Sequence, residues 1–184
     1  MTFLFASVIL SSCSVQKVIQ VDKVEENGKR TIASKNYNLY MGFTTSIWYN
    51  LDCIVLSEGD TSFFLELTII DNSRLQIDEG RKLLIKFEDG TLMELLNFTK
   101  IGPGDYTYSV SSSSVSYYMR PFYAITQEQI KQLMTKRASK IRIEHDIDVI
   151  DRNITAKKMS DGISESYTMI MKALKTTKTI YSDF

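Results

Sequence analysis

The fold is decided by residues 82–98, which read KLLIKFEDGTLMELLNF. Two apolar stretches, Lys82–Glu88 and Thr91–Phe98, flank the dipeptide Asp89-Gly90. An Asp-Gly pair between apolar runs is a strong hairpin signal, because glycine adopts the positive φ that tight turns require. Side chains alternate between the two faces of a strand, so one face carries Leu83, Ile85 and Phe87 and the other carries Leu84, Lys86 and Glu88. The stretch therefore predicts an antiparallel hairpin.

More β-structure is predicted on both sides of this hairpin. Asn27-Gly28 lies between Val18–Val21 and Arg30–Ile32, which indicates a second hairpin with a type I′ turn. Phe63–Ile70 alternates only in part, which favours a central strand that is covered on both faces. Tyr106–Tyr123 is expected to be extended around a loop at Ser111–Ser114. The chain thus contains a run of strands joined by short turns.

Helical signals appear in the last third of the chain. Thr126-Gln127-Glu128-Gln129 is a capping box and predicts a helix that ends near Ala138. Lys140–Ile150 has a period of two and predicts one strand, with Ile141, Ile143, Ile147 and Val149 on a single face. Asp161 is expected to cap a C-terminal helix. The pattern predicts an α+β fold, predominantly antiparallel β and sandwich-like, with a capped helix after the main strands and a C-terminal helix.

The composition limits both the size of the fold and its partners. A chain of 184 residues with 43% hydrophobic residues can build one well-packed domain. Lys plus Arg and Asp plus Glu each number 22, so the sequence offers no basic surface for nucleic acid, and we expect none to be bound. We also expect no cofactor.

The N-terminal residues carry a processing signal. Phe3–Leu10 is an apolar run too short to span a bilayer but long enough for the core of a signal peptide. Leu10-Ser11-Ser12-Cys13 resembles the lipobox of bacterial lipoproteins. The resemblance implies a signal peptide over residues 1–12, a lipid on Cys13, a short lipid-anchored tether over 13–17, and a single β-rich globular domain over 18–184. With Ser14 next to the cysteine, it implies anchoring in a bacterial outer membrane, on either face.

A second interpretation of this segment stays open. Met1-Thr2 lacks the positive charge of a signal peptide, so either the true start lies upstream or Phe3–Leu10 is a buried first strand. In the second case Cys13 could pair with Cys53. If Cys13 is lipidated, we expect Cys53 to be a buried, unreactive thiol.

No catalytic pattern emerges from the sequence. Glu144-His145-Asp146-Ile147-Asp148 is the nearest to one, but strand geometry puts the carboxylates on one face and His145 on the other. Ser111–Ser114 lacks the flanking glycines of a nucleophile elbow. We therefore predict no enzyme, no catalytic residue and no metal ligand, with a carboxylate-based metal-dependent enzyme as a remote alternative.

Aromatic residues are the candidates for ligand binding. An aromatic face combines a large apolar area with a polar tip, and it can stack on a sugar ring or a peptide. The candidate platform consists of Trp48, Tyr106, Tyr108, Tyr117 and Tyr118. In strands the same residues more often pack in a core, so both interpretations stay open.

Three segments together resemble a family of small secreted or lipid-anchored proteins of Bacteroides-type bacteria. They are Phe87–Gly90, Tyr123–Ile130 and Lys140–Glu144. The resemblance implies an envelope location and a fold, but no chemistry, because the family has no assigned activity. We therefore expect a non-enzymatic envelope lipoprotein that binds a protein partner or supports an assembly. The alternative is a glycan- or peptide-binding module that uses the tyrosine-rich strands.

Overall fold

A computed structural model describes residues 18–56, 59–100, 106–109 and 114–176. The predicted signal peptide, Cys13 and the tether lie outside this part of the chain. Its elements, in order, are β1 (Ile19–Val24), β2 (Arg30–Ser34), β3 (Tyr37–Met41), β4 (Thr45–Val55), β5 (Thr61–Asp71), β6 (Lys82–Phe87), β7 (Leu92–Leu96), β8 (Tyr106–Ser109), β9 (Ser114–Met119), β10 (Phe122–Ile125), α1 (Gln127–Thr135), β11 (Ala138–Glu144), β12 (Val149–Asn153) and α2 (Ala156–Leu174).

The described strands form two antiparallel sheets. The large sheet has the order β1-β2-β4-β5-β9-β8, with β3 beside β4 and β10 beside β5. The smaller sheet has the order β12-β11-β6-β7. Phe63–Ile70, predicted to be a central strand, lies within β5, which pairs with β4, β9 and β10. The predicted α+β, sandwich-like fold is confirmed.

The two long strands β4 and β5 pair over their whole length and set up the core. Their register places Tyr49 opposite Leu67 and Leu51 opposite Leu65, and all four side chains are fully buried. One hydrophobic cluster joins this inner face to buried side chains of the small sheet and of both helices. Each Å² of buried apolar surface stabilises the fold by about 25 cal/mol. In the large sheet this burial is therefore concentrated on one face.

Both predicted hairpins are present. Gly90 has a φ of 84° in the turn between β6 and β7, and Gly28 has a φ of 81° between β1 and β2. The loop between β1 and β2 is closed by a hydrogen bond from the N–H of Glu25 to the carbonyl of Lys29. This bond encloses three residues, one more than the two-residue loop of a type I′ turn. Three-residue loops place a glycine at their left-handed position, which is the role of Gly28.

The buried side chain of Asn97 connects the two sheets. Its Nδ2 donates to the carbonyl of Asp78 at 3.0 Å, and its Oδ1 accepts from the N–H of Phe122 at 3.2 Å. Its own N–H donates to the carbonyl of Arg81 at 2.9 Å. One carboxamide thus holds together the end of β7, the β5–β6 connection and the start of β10.

The first predicted helix is confirmed and the second begins earlier than expected. Thr126 caps α1 with the complete capping box. The prediction that Asp161 caps the C-terminal helix is wrong, because α2 already begins at Ala156. The preceding Thr155 makes no side-chain capping bond. Packing of the first turn sets the start of α2 instead, since Met159 is buried against the sheet.

The single strand predicted over Lys140–Ile150 is a hairpin. β11 ends at Glu144, and β12 starts at Val149 and pairs back on it. The turn is closed by a bond from the N–H of His145 to the carbonyl of Asp148 at 3.1 Å. Ile147, predicted on the apolar face, lies at the tip of this turn and is exposed.

Helix α2 lies close against the inner face of the large sheet at Gly162. Tyr49 Oη donates to the carbonyl oxygens of Lys158 and Met159 at 3.0 and 3.1 Å. A Cβ on Gly162 would collide with Tyr49 Oη and would lie 2.9 Å from Cδ1 of Tyr37. Only a glycine therefore fits at this contact.

We predict that Gly162→Ala lowers the free energy of unfolding by about 1–3 kcal/mol through overpacking. Alanine ordinarily stabilises a helix relative to glycine by about 1 kcal/mol, so the expected effect has the opposite sign. Chemical denaturation measures it, with Thr168→Ala on the exposed face of α2 as the control. In a double-mutant cycle, Tyr49→Phe should recover part of the loss by removing the hydroxyl. A stabilising Gly162→Ala would contradict this packing.

Candidate functional site

The outer face of the large sheet combines polar and aromatic side chains. The β4–β5 register places Trp48 opposite Thr68, Asn50 opposite Glu66 and Asp52 opposite Phe64. Directly paired residues of an antiparallel sheet share a face, so these side chains lie opposite to the apolar core face. A sheet face that packs no core ordinarily carries solvated polar residues. Here Asn50 and Asp52 are instead only 4% and 7% exposed.

Asn50, Asp52 and Glu66 form a hydrogen-bonded group that we call the acceptor cluster. Asn50 Nδ2 donates to Asp52 Oδ1 at 2.6 Å and to Glu66 Oε2 at 3.1 Å. Asn50 Oδ1 is buried and has no hydrogen-bond partner among the described residues. The amide nitrogen of Asn50 thus donates to two carboxyl groups, while the amide oxygen of Asn50 accepts no hydrogen bond from a described residue.

Within the described part of the chain, the carboxyl groups of the cluster are only weakly compensated by positive charge. Burial, the negative charge of Glu66 and a hydrogen bond with it raise the pKa of Asp52 to about 7, and the hydrogen bond from Asn50 only partly offsets this. Arg120 places its Nε 3.9 Å from Glu66 Oε1, but its side chain is 66% exposed, so solvent screens that attraction. Asp52 consequently holds a proton in weakly acidic solution.

Aromatic side chains occupy the same face. Trp48 and Phe64 are half-buried, and the rings of Phe64 and Phe98 lie 5.0 Å apart. Phe122 on β10 pairs with Glu66, and Tyr118 on β9 pairs with Ile70. Ligand-binding surfaces typically combine aromatic rings with a few buried polar groups. The rings provide contact area, and the polar groups fix the orientation of the ligand.

The structure divides the predicted aromatic platform. Trp48 and Tyr118 lie on the outer face, whereas Tyr117 pairs with Asp71 and so lies on the opposite face. The backbones of Tyr106 and Tyr108 pair with Tyr117 and Val115. Their side chains, like Cys13, lie outside the described residues. Of the three candidates whose side chains the structure describes, Trp48 and Tyr118 therefore share a face with the acceptor cluster.

Sequence reasoning missed the acceptor cluster itself. The signal that was present is the pair Asn50 and Asp52, two polar residues at alternate positions of an otherwise apolar stretch. Glu66 joins them only through the cross-strand register of β4 and β5, and no local pattern reveals that register.

The carboxylates near His145 have structural partners. Glu144 accepts the N–H of Lys82 at 3.1 Å, and Asp146 accepts the N–H of Gln76 at 3.0 Å. Nδ1 of His145 accepts from the N–H groups of Ile147 and Asp148 within the turn. Among the described residues, no group of three or more His, Cys, Asp or Glu side chains could hold a metal ion.

Cys53 is fully buried, as expected. Burial is the main cause that raises the pKa of its thiol to about 12. Since the thiolate is the nucleophile, this cysteine is unreactive in the folded protein.

Two other surface features lie away from the cluster. The outer face of the small sheet has a groove of about 330 Å³, lined among others by Leu84, Lys86 and Leu92. At the tip of the β3–β4 hairpin, Phe43 is fully exposed beside the exposed Met41. Each could contact a partner, but neither contains a buried polar group without a partner.

The fold and the site together define an antiparallel α+β domain with a polar and aromatic sheet face. No protein-family model, curated protein or solved structure matches the chain. In the described part of the chain, no helix has the length and apolar character needed to cross a membrane.

We predict that Asp52→Asn stabilises the protein at pH 8 by about 1–2 kcal/mol and has little effect at pH 4. The pKa of Asp52 is raised from 3.8 to about 7, so the folded state binds this proton more tightly than the unfolded state does. The stabilisation that the protonated Asp52 carboxyl gives the folded state is complete below pH 4 and is lost as the pH rises through 7.

Thermal unfolding at both pH values measures this effect, and Asp60→Asn, at an exposed carboxylate, is the control. A gain at pH 8 of about 2–8 °C in Tm is expected for a chain of this length. A variant that is equally destabilised at both pH values would contradict the assignment of an uncompensated buried carboxyl group.

Proposed function

We propose that this protein is a non-enzymatic binding module of the bacterial envelope, and that the outer face of the large sheet recognises a partner protein. The observation that carries the proposal is the acceptor cluster on an aromatic face. Trp48 and Tyr118, two of the aromatic residues predicted to bind a ligand, lie on the same face as the cluster. We therefore place the predicted protein-interaction surface on this face. A glycan as the ligand is the second candidate, favoured by the half-buried ring of Trp48.

The cluster is costly for folding, which supports a functional role. A buried carboxyl group without a cation destabilises the native state, and an apolar residue of similar size would pack there at lower cost. Natural proteins depart from such rules mainly at functional sites. The polar interior of this face is therefore better explained by ligand binding than by stability.

The chemistry of the described residues supports binding over catalysis. Cys53 is buried with a raised thiol pKa, and His145 holds a turn with its Nδ1. Glu144 and Asp146 are engaged by backbone N–H groups. Covalent catalysis requires a nucleophile with an adjacent general base. The described side chains named here do not form such a pair.

We further propose the lipid anchor at Cys13. Val18, five residues after Cys13, is buried, and its carbonyl accepts the N–H of Lys35 at 2.7 Å, which agrees with a short tether. Five extended residues reach about 17 Å, which would hold the domain at the membrane surface. The outer membrane is the location that Ser14 favours.

The anchor is tested by the intact mass of the protein purified from membranes. We expect a chain that starts at Cys13 and carries added acyl mass, and we expect Cys13→Ala to lack that mass. A wild-type chain that keeps Phe3–Leu10 and carries no lipid would overturn the anchor, and Cys13 would again be a possible partner of Cys53.

Recognition is tested with panels of envelope-derived peptides and oligosaccharides. Trp48 is the only tryptophan in the sequence, so its fluorescence reports directly on the outer face. We expect a peptide to change this emission and Tyr118→Ala to weaken its binding about fivefold, the effect of losing about 1 kcal/mol.

Phe43→Ala at the hairpin tip is the matched aromatic control and should leave the affinity unchanged. Binding that is lost in Phe43→Ala but retained in Tyr118→Ala would place recognition at the hairpin tip and contradict the proposal. Binding of oligosaccharides alone would favour the glycan candidate.

A further inference from the structure

We infer that the acceptor cluster receives the ammonium group of a lysine side chain from a partner protein. This inference rests on the proposed function and adds the chemistry of the ligand. It follows from three properties of the outer face: its unmatched acceptors, its unbalanced charge and its apolar surroundings.

Within the acceptor cluster, the two carboxyl groups share a single donor group. Asn50 Nδ2 is the donor shared by the carboxyl groups of Asp52 and Glu66. Asn50 Oδ1 has no partner among the described residues, although the residue is only 4% exposed. A lysine ammonium carries three donors and no acceptor, so it matches this set of acceptors.

Among the described residues, the cluster has two carboxyl groups and one exposed arginine within ion-pair distance. Ala33 of β2 and Phe64 of β5 flank Asp52 and are uncharged, and so is Ala124, the β10 neighbour of Phe64. Lys23 lies on the outermost strand, β1, which β2 separates from β4. Arg120 reaches only Glu66, from an exposed position. A cation supplied by the ligand would therefore meet two carboxyl groups in a site of low polarity.

The surroundings suit the rest of a lysine side chain. Its four methylene groups pack well on aromatic rings, and the half-buried Trp48 and Phe122 lie on this face. An aromatic ring also attracts the cation itself. Glu66 keeps 13% of its side-chain surface exposed, so solvent reaches this member of the cluster.

Binding of a cation here is linked to release of a proton. An ammonium beside Asp52 favours the carboxylate, so the affinity rises with pH until Asp52 is ionised in the free protein. For one released proton, the affinity should increase about tenfold between pH 6 and pH 8.

The test uses the purified protein and two matched probes, Nα-acetyl-lysine amide and its uncharged analogue Nα-acetyl-norleucine amide. Trp48 fluorescence measures both titrations. The lysine probe is expected to bind with a Kd of about 1 mM, typical of a ligand of this size, and the norleucine probe at least about tenfold more weakly. Asp52→Asn should weaken lysine binding about tenfold at pH 8 and abolish its pH dependence. Asp60→Asn should change neither.

Several results would overturn the inference. Equal binding of the two probes would show that the face recognises only the apolar stem. Binding of glucosamine that exceeds that of the lysine probe would replace the partner lysine with an amino sugar. A panel peptide that binds this face while the lysine probe does not would refute the ammonium site and leave the proposed function intact. If neither the panels nor the probes affect Trp48, the proposed function itself fails.

Discussion

The pairing of β4 with β5 is the constraint on which the rest of the structure depends. These strands are in register from Thr45 opposite Asp71 to Val55 opposite Thr61. A slip of one residue would move every side chain of a strand to the other face of the sheet. It would bring Asn50 and Asp52 into the apolar core and expose the apolar residues between them. The same register therefore creates the core on one face and the acceptor cluster on the other.

Helix α2 gives the two faces of the large sheet their different roles. At Gly162 the helix lies close enough for Tyr49 to donate hydrogen bonds to its first turn. This contact covers the inner face and fixes β4 from one side. The outer face of the same strand can then carry groups that do not stabilise the fold, because the core supplies the necessary free energy. Asp52 is the clearest of these groups, since it is buried beside a second carboxyl group and forms no ion pair with any residue that the structure describes.

Local signals predicted much of the fold and little of the site. Asp89-Gly90 and the capping box at Thr126 act within a few residues, so both elements could be read from the sequence. The turn at His145 was missed, because a histidine ring closes it and glycine or proline is absent there. The start of α2 was missed because packing determines it. The acceptor cluster depends on register between two strands, which alternation along one strand cannot reveal.

The candidate site depends on Asp52 being buried beside Glu66 with no ion pair of its own among the described residues. Carbon-detected NMR titration of the side-chain carboxyl groups tests this claim most directly. We expect Asp52 to titrate with a pKa of about 7. An Asp52 carboxyl that titrates near its ordinary value of 3.8 would contradict this burial and remove the basis for the acceptor cluster as a binding site.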